Sequence, residues 1–388
     1  MKRTPALLLL AVAGMFISSC AVKTYPRPVT AKEKMDTNLA YGIDTAGAKL
    51  VAEVNAGPRY DLSRQRATID YNYYLDPKFK ADPRLFYPAP SSPPAVEVVA
   101  KLTEDDKVEI TLLKWPSLYQ PMNPAFAPVY EGYPETHTAY GVYMKSKSGN
   151  KGAIVISHGW TGGEITKSYK LEKMEDFAEI GYDSVLIQQP YHGLRAPADS
   201  EFSGELFFSG EVARTNEAFC QTVTDVRSMV MWLRPNYKVV GIKGGSLGGI
   251  TTLLTAAVDP TIDFAIAWVP PSSLGDMPKD SPLVPFIIKG LEESGLDQQK
   301  LDEVMYLSSP ANFQPAIPKD DLLIFAGMGD NFVPPYMPAK VWQAWDQPPI
   351  FWFAGGHVKN FELKQSMEIQ KEFLVKHLAN KVDATALN

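Results

Sequence analysis

The sequence predicts an α/β protein built on a mostly parallel, doubly wound sheet. Beyond Gly152, short runs of Ile, Val, Leu and Phe alternate with segments of helical periodicity, as successive strands and helices would. Each run is almost continuously apolar, which fits strands buried on both faces. With 388 residues, 45% hydrophobic and 21% charged, the chain has material for one large α/β domain with extensions, or for two modest domains. That composition excludes wholesale disorder.

The first residues read as an address. Lys2 and Arg3 precede an apolar run over 6–17, too short to span a bilayer as a mature helix, and Ile17-Ser18-Ser19-Cys20 follows. Residues 1–19 are therefore expected to be a signal peptide. Its ending resembles the lipobox of bacterial lipoproteins, which implies acylation of Cys20 and a lipid-anchored protein of the bacterial envelope. Ala21 after that cysteine implies, by the same resemblance, the periplasmic face of the outer membrane. Several acyl chains on one residue would anchor far more firmly than one. The other cysteine, Cys220, sits in an apolar helical pattern and is expected to be a buried thiol.

From 20 to 57 the chain is polar and irregular, with one stretch near 46–54 that could be helical, and it reads as a tether. Residues 58–104 read as a Pro-rich wrapping extension. Eleven prolines fall between Pro77 and Pro134, many beside aromatics, and they disfavour helix interiors and central strands. The main domain is placed at 105–388, opening with strands at 107–113 and 138–144. Then follow a strand at 153–156, a helix at 168–180 and a strand at 183–187. A long helix at 211–233 aligns Phe219, Val223, Val226, Val230 and Leu233 on one face. Next come a strand at 238–242, a helix at 247–258 and a strand at 264–269. The last elements are a strand at 322–326, a helix at 338–345, a strand at 350–353 and a helix at 361–381. The insertion at 270–318 contains the apolar piece 283–288, which fits a lid over a hydrophobic substrate or a plain packing helix.

Several chemistries fail on residue type. The net charge is −6 and no cluster of Lys and Arg appears, so no nucleic-acid partner is expected. The chain has no His-Glu-x-x-His, no Cys pair, no Gly-x-Gly-x-x-Gly and no Gly-x-x-x-x-Gly-Lys. Neither a metal nor a cofactor is expected.

Gly244-Gly245-Ser246-Leu247-Gly248-Gly249 stands where the strand at 238–242 turns into the helix at 247–258. A serine at such a bend needs small residues two before and two after it, and Gly244 and Gly248 supply them. The helix N-terminus behind the hydroxyl favours a developing anion. A serine also needs a base. Of five histidines, His357 follows the last strand in Gly355-Gly356-His357, whereas His377 lies in the final helix. Asp330, after the strand at 322–326, is the acid expected to orient that imidazole, and Asp276 is its rival. The order Ser246, Asp330, His357 is that of the nucleophile-elbow hydrolases. The expected oxyanion donors are the amides of Leu247 and of Trp160, in Ser157-His158-Gly159-Trp160-Thr161-Gly162-Gly163.

From about 110 to 378 the chain resembles an α/β-hydrolase. More narrowly, it is similar to a little-characterised α/β-hydrolase domain-containing family of animals and bacteria. The similarity rests on Pro190-Tyr191-His192-Gly193-Leu194-Arg195-Ala196-Pro197, the elbow glycines, the acid loop, Gly355-Gly356-His357 and Lys364-Gln365. Animal relatives usually carry Ala-Gly-Thr-Gly where this chain has Gly159-Trp160-Thr161-Gly162. The resemblance implies serine-dependent hydrolysis of a small-molecule or lipid ester through an acyl-enzyme, by an expected monomer. Alternatives are a serine peptidase of the same fold and a catalytically idle hydrolase-fold binding module. His158, His192 and Arg195 are candidates to line the substrate site, Arg195 meeting a carboxylate or phosphate. Against this, Arg195 could pin its own loop to a neighbouring carboxylate, and His158 could be structural because His357 already fills the base position.

Overall fold

The computed structural model describes residues 25–384 apart from 56, 58–59, 278–280 and 282. The expected signal peptide and Cys20 lie outside the described residues. The strands are β1 (Glu97–Glu104), β2 (Val108–Pro116), β3 (Thr138–Ser146), β4 (Gly152–Ser157), β5 (Tyr182–Gln188), β6 (Val239–Gly245), β7 (Ala265–Trp268), β8 (Leu322–Gly327) and β9 (Ile350–Phe353). They form one sheet in the order β1-β2-β3-β5-β4-β6-β7-β8-β9. The pairings β1–β2, β2–β3 and β3–β5 are antiparallel, and all pairings from β5 to β9 are parallel.

The apolar runs follow from this placement. Every residue of β4 and β5 is buried. Ala153 and Val155 join a core shared with the helices Val212–Leu233 and Leu247–Val258. Ile154 and Ile156 point into a second core with Met174, Phe177 and Leu374. Successive side chains of one strand thus serve two cores, as a sheet covered on both faces requires.

The long helix Val212–Leu233 is buried along nearly its whole length, including Glu217, Gln221, Asp225 and Arg227. The sheet covers one side and the Pro-rich segment covers another. Glu217 accepts hydrogen bonds from Tyr74 Oη (3.0 Å), the amides of Met122 (3.0 Å) and Asn123 (2.8 Å), and the Tyr119 hydroxyl. Burial raises its pKa while these donors oppose the rise. The Cys220 thiol donates to Phe86 O at 3.1 Å, and burial pushes its pKa up.

Three expectations are corrected. Residues 31–55 do not form an irregular tether: Ala31–Asn55 is one 25-residue helix, here α1, with Asp36, Thr37, Ala40, Asp44, Ala48 and Ala52 buried. Its inward face is made of small and polar residues, so it carries no apolar stripe to read. The boundary at 104/105 cuts a hairpin, because β1 pairs with β2 and belongs to the same sheet. The helix expected at 168–180 is interrupted: Lys173 takes a left-handed conformation (φ 51°) and only Met174–Glu179 continues as helix. In the insertion, the helix Pro285–Glu293 buries Phe286, Ile287 and Leu291 in the main core and is packed on the body.

Candidate active site

The order of the sheet reverses around β4, with β5 on one side and β6 on the other. Loops leaving neighbouring strands in opposite directions at such a point open a crevice at the strands' carboxyl ends. Ser246 lies there, at the end of β6.

Its backbone (φ 55°, ψ −117°) is one that an L-residue adopts only under constraint. The constraint is the approach of the following helix to the sheet. A Cβ on Gly244 would lie 2.2 Å from Gly248 O, and one on Gly248 would lie 2.0 Å from Ser157 O. Only glycine fits at either position. Ser246 N donates to Trp268 O at 2.8 Å, and its carbonyl receives the amides of Gly249 (2.8 Å) and Ile250 (3.1 Å). Its hydroxyl makes no hydrogen bond among the described residues.

The loop after β4 approaches from the side. A Cβ on Gly159 would stand 3.7 Å from Ser246 Cβ. The amides of Trp160 and Leu247 donate to no other backbone carbonyl among the described residues. The Trp160 indole donates from Nε1 to Gly204 O at 2.8 Å and stacks on Phe286, ring centroids 6.2 Å apart. Phe202 and Phe208 meet it edge-on.

His158 braces this loop from beneath. Its Nε2 accepts from Gln189 N at 3.1 Å and its Nδ1 lies 2.8 Å from Gly159 O. This pairing fits a neutral ring protonated at Nδ1, and burial lowers its pKa in the same sense.

Asp330 and His357 come together. Asp330 Oδ1 accepts from the amides of Phe332 (2.9 Å) and Val333 (2.7 Å), leaving Oδ2 to His357 Nδ1 at 2.8 Å. Phe332 stacks on the imidazole with centroids 4.9 Å apart. Burial opposes the charged imidazole, but the charge and hydrogen bond of Asp330, with the charge of Asp44, outweigh it and raise the pKa of His357. The rival Asp276 is engaged elsewhere, with Lys340 Nζ (2.8 and 2.9 Å) and Ser272 Oγ (2.6 Å).

The structure corrects two candidates for substrate contact. Arg195 is fully buried; its Nη1 pairs with Asp225 Oδ2 at 2.8 Å and Nη2 donates to Thr136 O at 2.7 Å. It pins its own loop to the long helix. His192 is likewise fully buried, with Nδ1 2.8 Å from Pro190 O and its ring 4.9 Å from that of His158. A residue that sequence reasoning missed is Asp44 of α1. Its carboxylate accepts from the amides of His357 (2.6 Å), Val358 (3.0 Å) and Asn331 (3.2 Å). Some three hundred residues separate the partners, and no local pattern marks them.

Fold and crevice together define an α/β-hydrolase architecture, and comparison with known proteins agrees with it. An acetyl xylan esterase from Paenibacillus sp. R4 superposes with a TM-score of 0.57 at 14% identity, covering 81% of this chain and 99% of that one. In sequence, the chain is similar to the uncharacterized protein Rv2627c of Mycobacterium tuberculosis (strain H37Rv), 23% identical over 316 residues, 78% of this chain and 72% of that protein. It is also similar to the uncharacterized protein MT2702 of M. tuberculosis (strain CDC 1551), 27% identical over 203 residues, 50% of this chain and 46% of that protein. No protein-family model matches the chain.

Proposed function

We propose that the protein is a serine hydrolase acting on carboxylic esters. The observation supporting this most directly is the Asp330–His357 hydrogen bond, with Ser246 held in a strained turn at the same end of the sheet. Ser246 Oγ attacks the ester carbonyl while His357 takes its proton, and Asp330 holds the imidazole with Nδ1 protonated. The Leu247 and Trp160 amides, free of other carbonyl partners, receive the oxyanion. His357 then returns the proton to the leaving alcohol, and water releases the acyl group by the same steps in reverse. The lipobox-like ending at Cys20 supports an envelope location with lipid anchoring at the outer membrane.

The test is labelling by a fluorophosphonate, with adduct mapping and an ester panel run beside matched anilides. Label on Ser246, absent in folded Ser246→Ala, with esters turned over in preference to anilides, is the expected result. Turnover retained by Ser246→Ala would refute the mechanism, and a preference for anilides would replace the esterase by a peptidase.

A further inference from the structure

The N-terminal helix α1 meets the main domain at the loops that carry Asp330 and His357. A Cβ on Gly329 would lie 2.3 Å from Thr37 O, and one on Gly356 would lie 2.3 Å from Asp44 Oδ2. At the glycines preceding Asp330 and His357, α1 therefore leaves no room for a Cβ. Asn331 Nδ2 donates to Thr45 Oγ1 at 2.9 Å, and the position of a Cβ on Gly47 is 3.6 Å from the Phe332 ring that stacks on His357. Asp44 stands at the centre of this contact, fully buried, with one carboxylate spanning amides from both loops.

We propose that Asp44 is a positioning residue for the Asp330–His357 pair. Its carboxylate clamps the acid loop and the histidine loop in one relative geometry, and its charge is held at the His357 backbone. This role rests on the serine-hydrolase reading for its catalytic consequence, but the clamp itself does not.

The chemistry favours a functional over a purely structural role. A buried carboxylate without a cationic partner is an expensive way to tie two loops together, because ionisation in a poorly solvated site is disfavoured. No lysine or arginine pairs with Asp44 among the described residues, and the titratable groups facing it are Asp330 and His357. Burial and the nearby Asp330 charge raise its pKa to about 6, while the two loop amides and His357 pull the other way. At neutral pH it is therefore mostly ionised. There it holds its amides as charge-assisted acceptors and favours the imidazolium that forms during each proton transfer.

The test uses the full chain and three variants, Asp44→Asn, Asp44→Ala and Asp44→Glu. The first readout is the pH titration of the His357 imidazole by NMR, which does not depend on turnover. Removing the negative neighbour should lower that pKa by roughly half a unit to one unit in Asp44→Asn and Asp44→Ala, and Asp44→Glu should restore it. The second readout is the pH profile of kcat/KM on p-nitrophenyl esters. Asp44→Asn should lose about 10- to 100-fold, chiefly in kcat, with the acidic limb moving down by the same shift. A His357 titration unchanged in Asp44→Asn and Asp44→Ala would overturn the proposal. So would losses that merely follow the melting temperature, equal in all three variants. If the parent turned over no ester and took no fluorophosphonate, the hydrolase reading would fall while the NMR arm still decided the clamp.

Discussion

Replacing Gly248 with alanine tests the elbow at the point where fold and function share one contact. The added methyl would lie 2.0 Å from Ser157 O, 2.6 Å from Ser157 C and 2.9 Å from His158 O. Ordinary contacts to such atoms are about 3.5 Å, so the helix Leu247–Val258 and the end of β4 must part by roughly 1 Å or more. Neither side yields cheaply: β4 is hydrogen-bonded to β5 on one edge and to β6 on the other, and the helix is buried throughout. Overpacking against backbone of this kind costs about 1–3 kcal/mol, a fall in melting temperature of about 1–4 °C for a domain of this size. The retreat also carries Ser246 and the Leu247 amide away from the Gly159 loop. A displacement near 1 Å at reacting groups is worth about 100-fold in rate. Thermal melts followed by circular dichroism, and fluorophosphonate labelling rates on the folded variant, measure the two effects. Gly248→Ala that melts within about 0.5 °C of the parent and labels at its rate would refute the close approach and the account of the elbow built on it.

Three further outcomes follow from the same geometry. Asp330→Asn should lower kcat about a thousandfold to ten-thousandfold, because the amide cannot hold the imidazole in the right tautomer as its charge develops. The base must be neutral to act and the pKa of His357 is raised, so the parent's kcat/KM should fall on acidification from above the ordinary histidine value, and the limb should move down in Asp330→Asn. For stability, Asp44 ionises near 6 when folded and near 3.9 when unfolded, so the folded state binds the proton more tightly. Its presence therefore costs stability as pH rises from about 4 to 6, by about 3 kcal/mol once the window is crossed. Urea unfolding of parent and Asp44→Asn should show the parent losing ground to the variant by that order across the window, and no change in their difference would contradict the buried, unpaired state of Asp44.

What was legible in the sequence lay in contiguous runs. The strands at 153–156, 183–187, 322–326 and 350–353 fall inside β4, β5, β8 and β9. Burial makes most of their residues apolar, Asp183 and Ser184 at the start of β5 being exceptions, and that leaves a mark no longer than the strand itself. The elbow is equally local: a strained serine, and glycines where neighbouring backbones leave no space for a Cβ. The Asp330–His357 pair was read from position after successive strands, since a parallel sheet delivers the loops following its strands to one end.

Tertiary structure alone decided the rest, because the deciding partners are far apart along the chain. α1 buries alanines, a threonine and two aspartates, so its inward face resembles a solvated one until the loops around Asp330 and His357 are set against it. Strand β1 alternates little in burial, since it lies at the sheet edge and is held by its pairing with β2. Arg195 sits in a motif that invites a substrate role, but Asp225, thirty residues on, takes its charge inside the protein. Local sequence records what a residue's own strand or turn demands of it. Which distant carboxylate neutralises an arginine, or which helix closes over a histidine loop, is settled only when desolvation brings those groups together and leaves each needing the other.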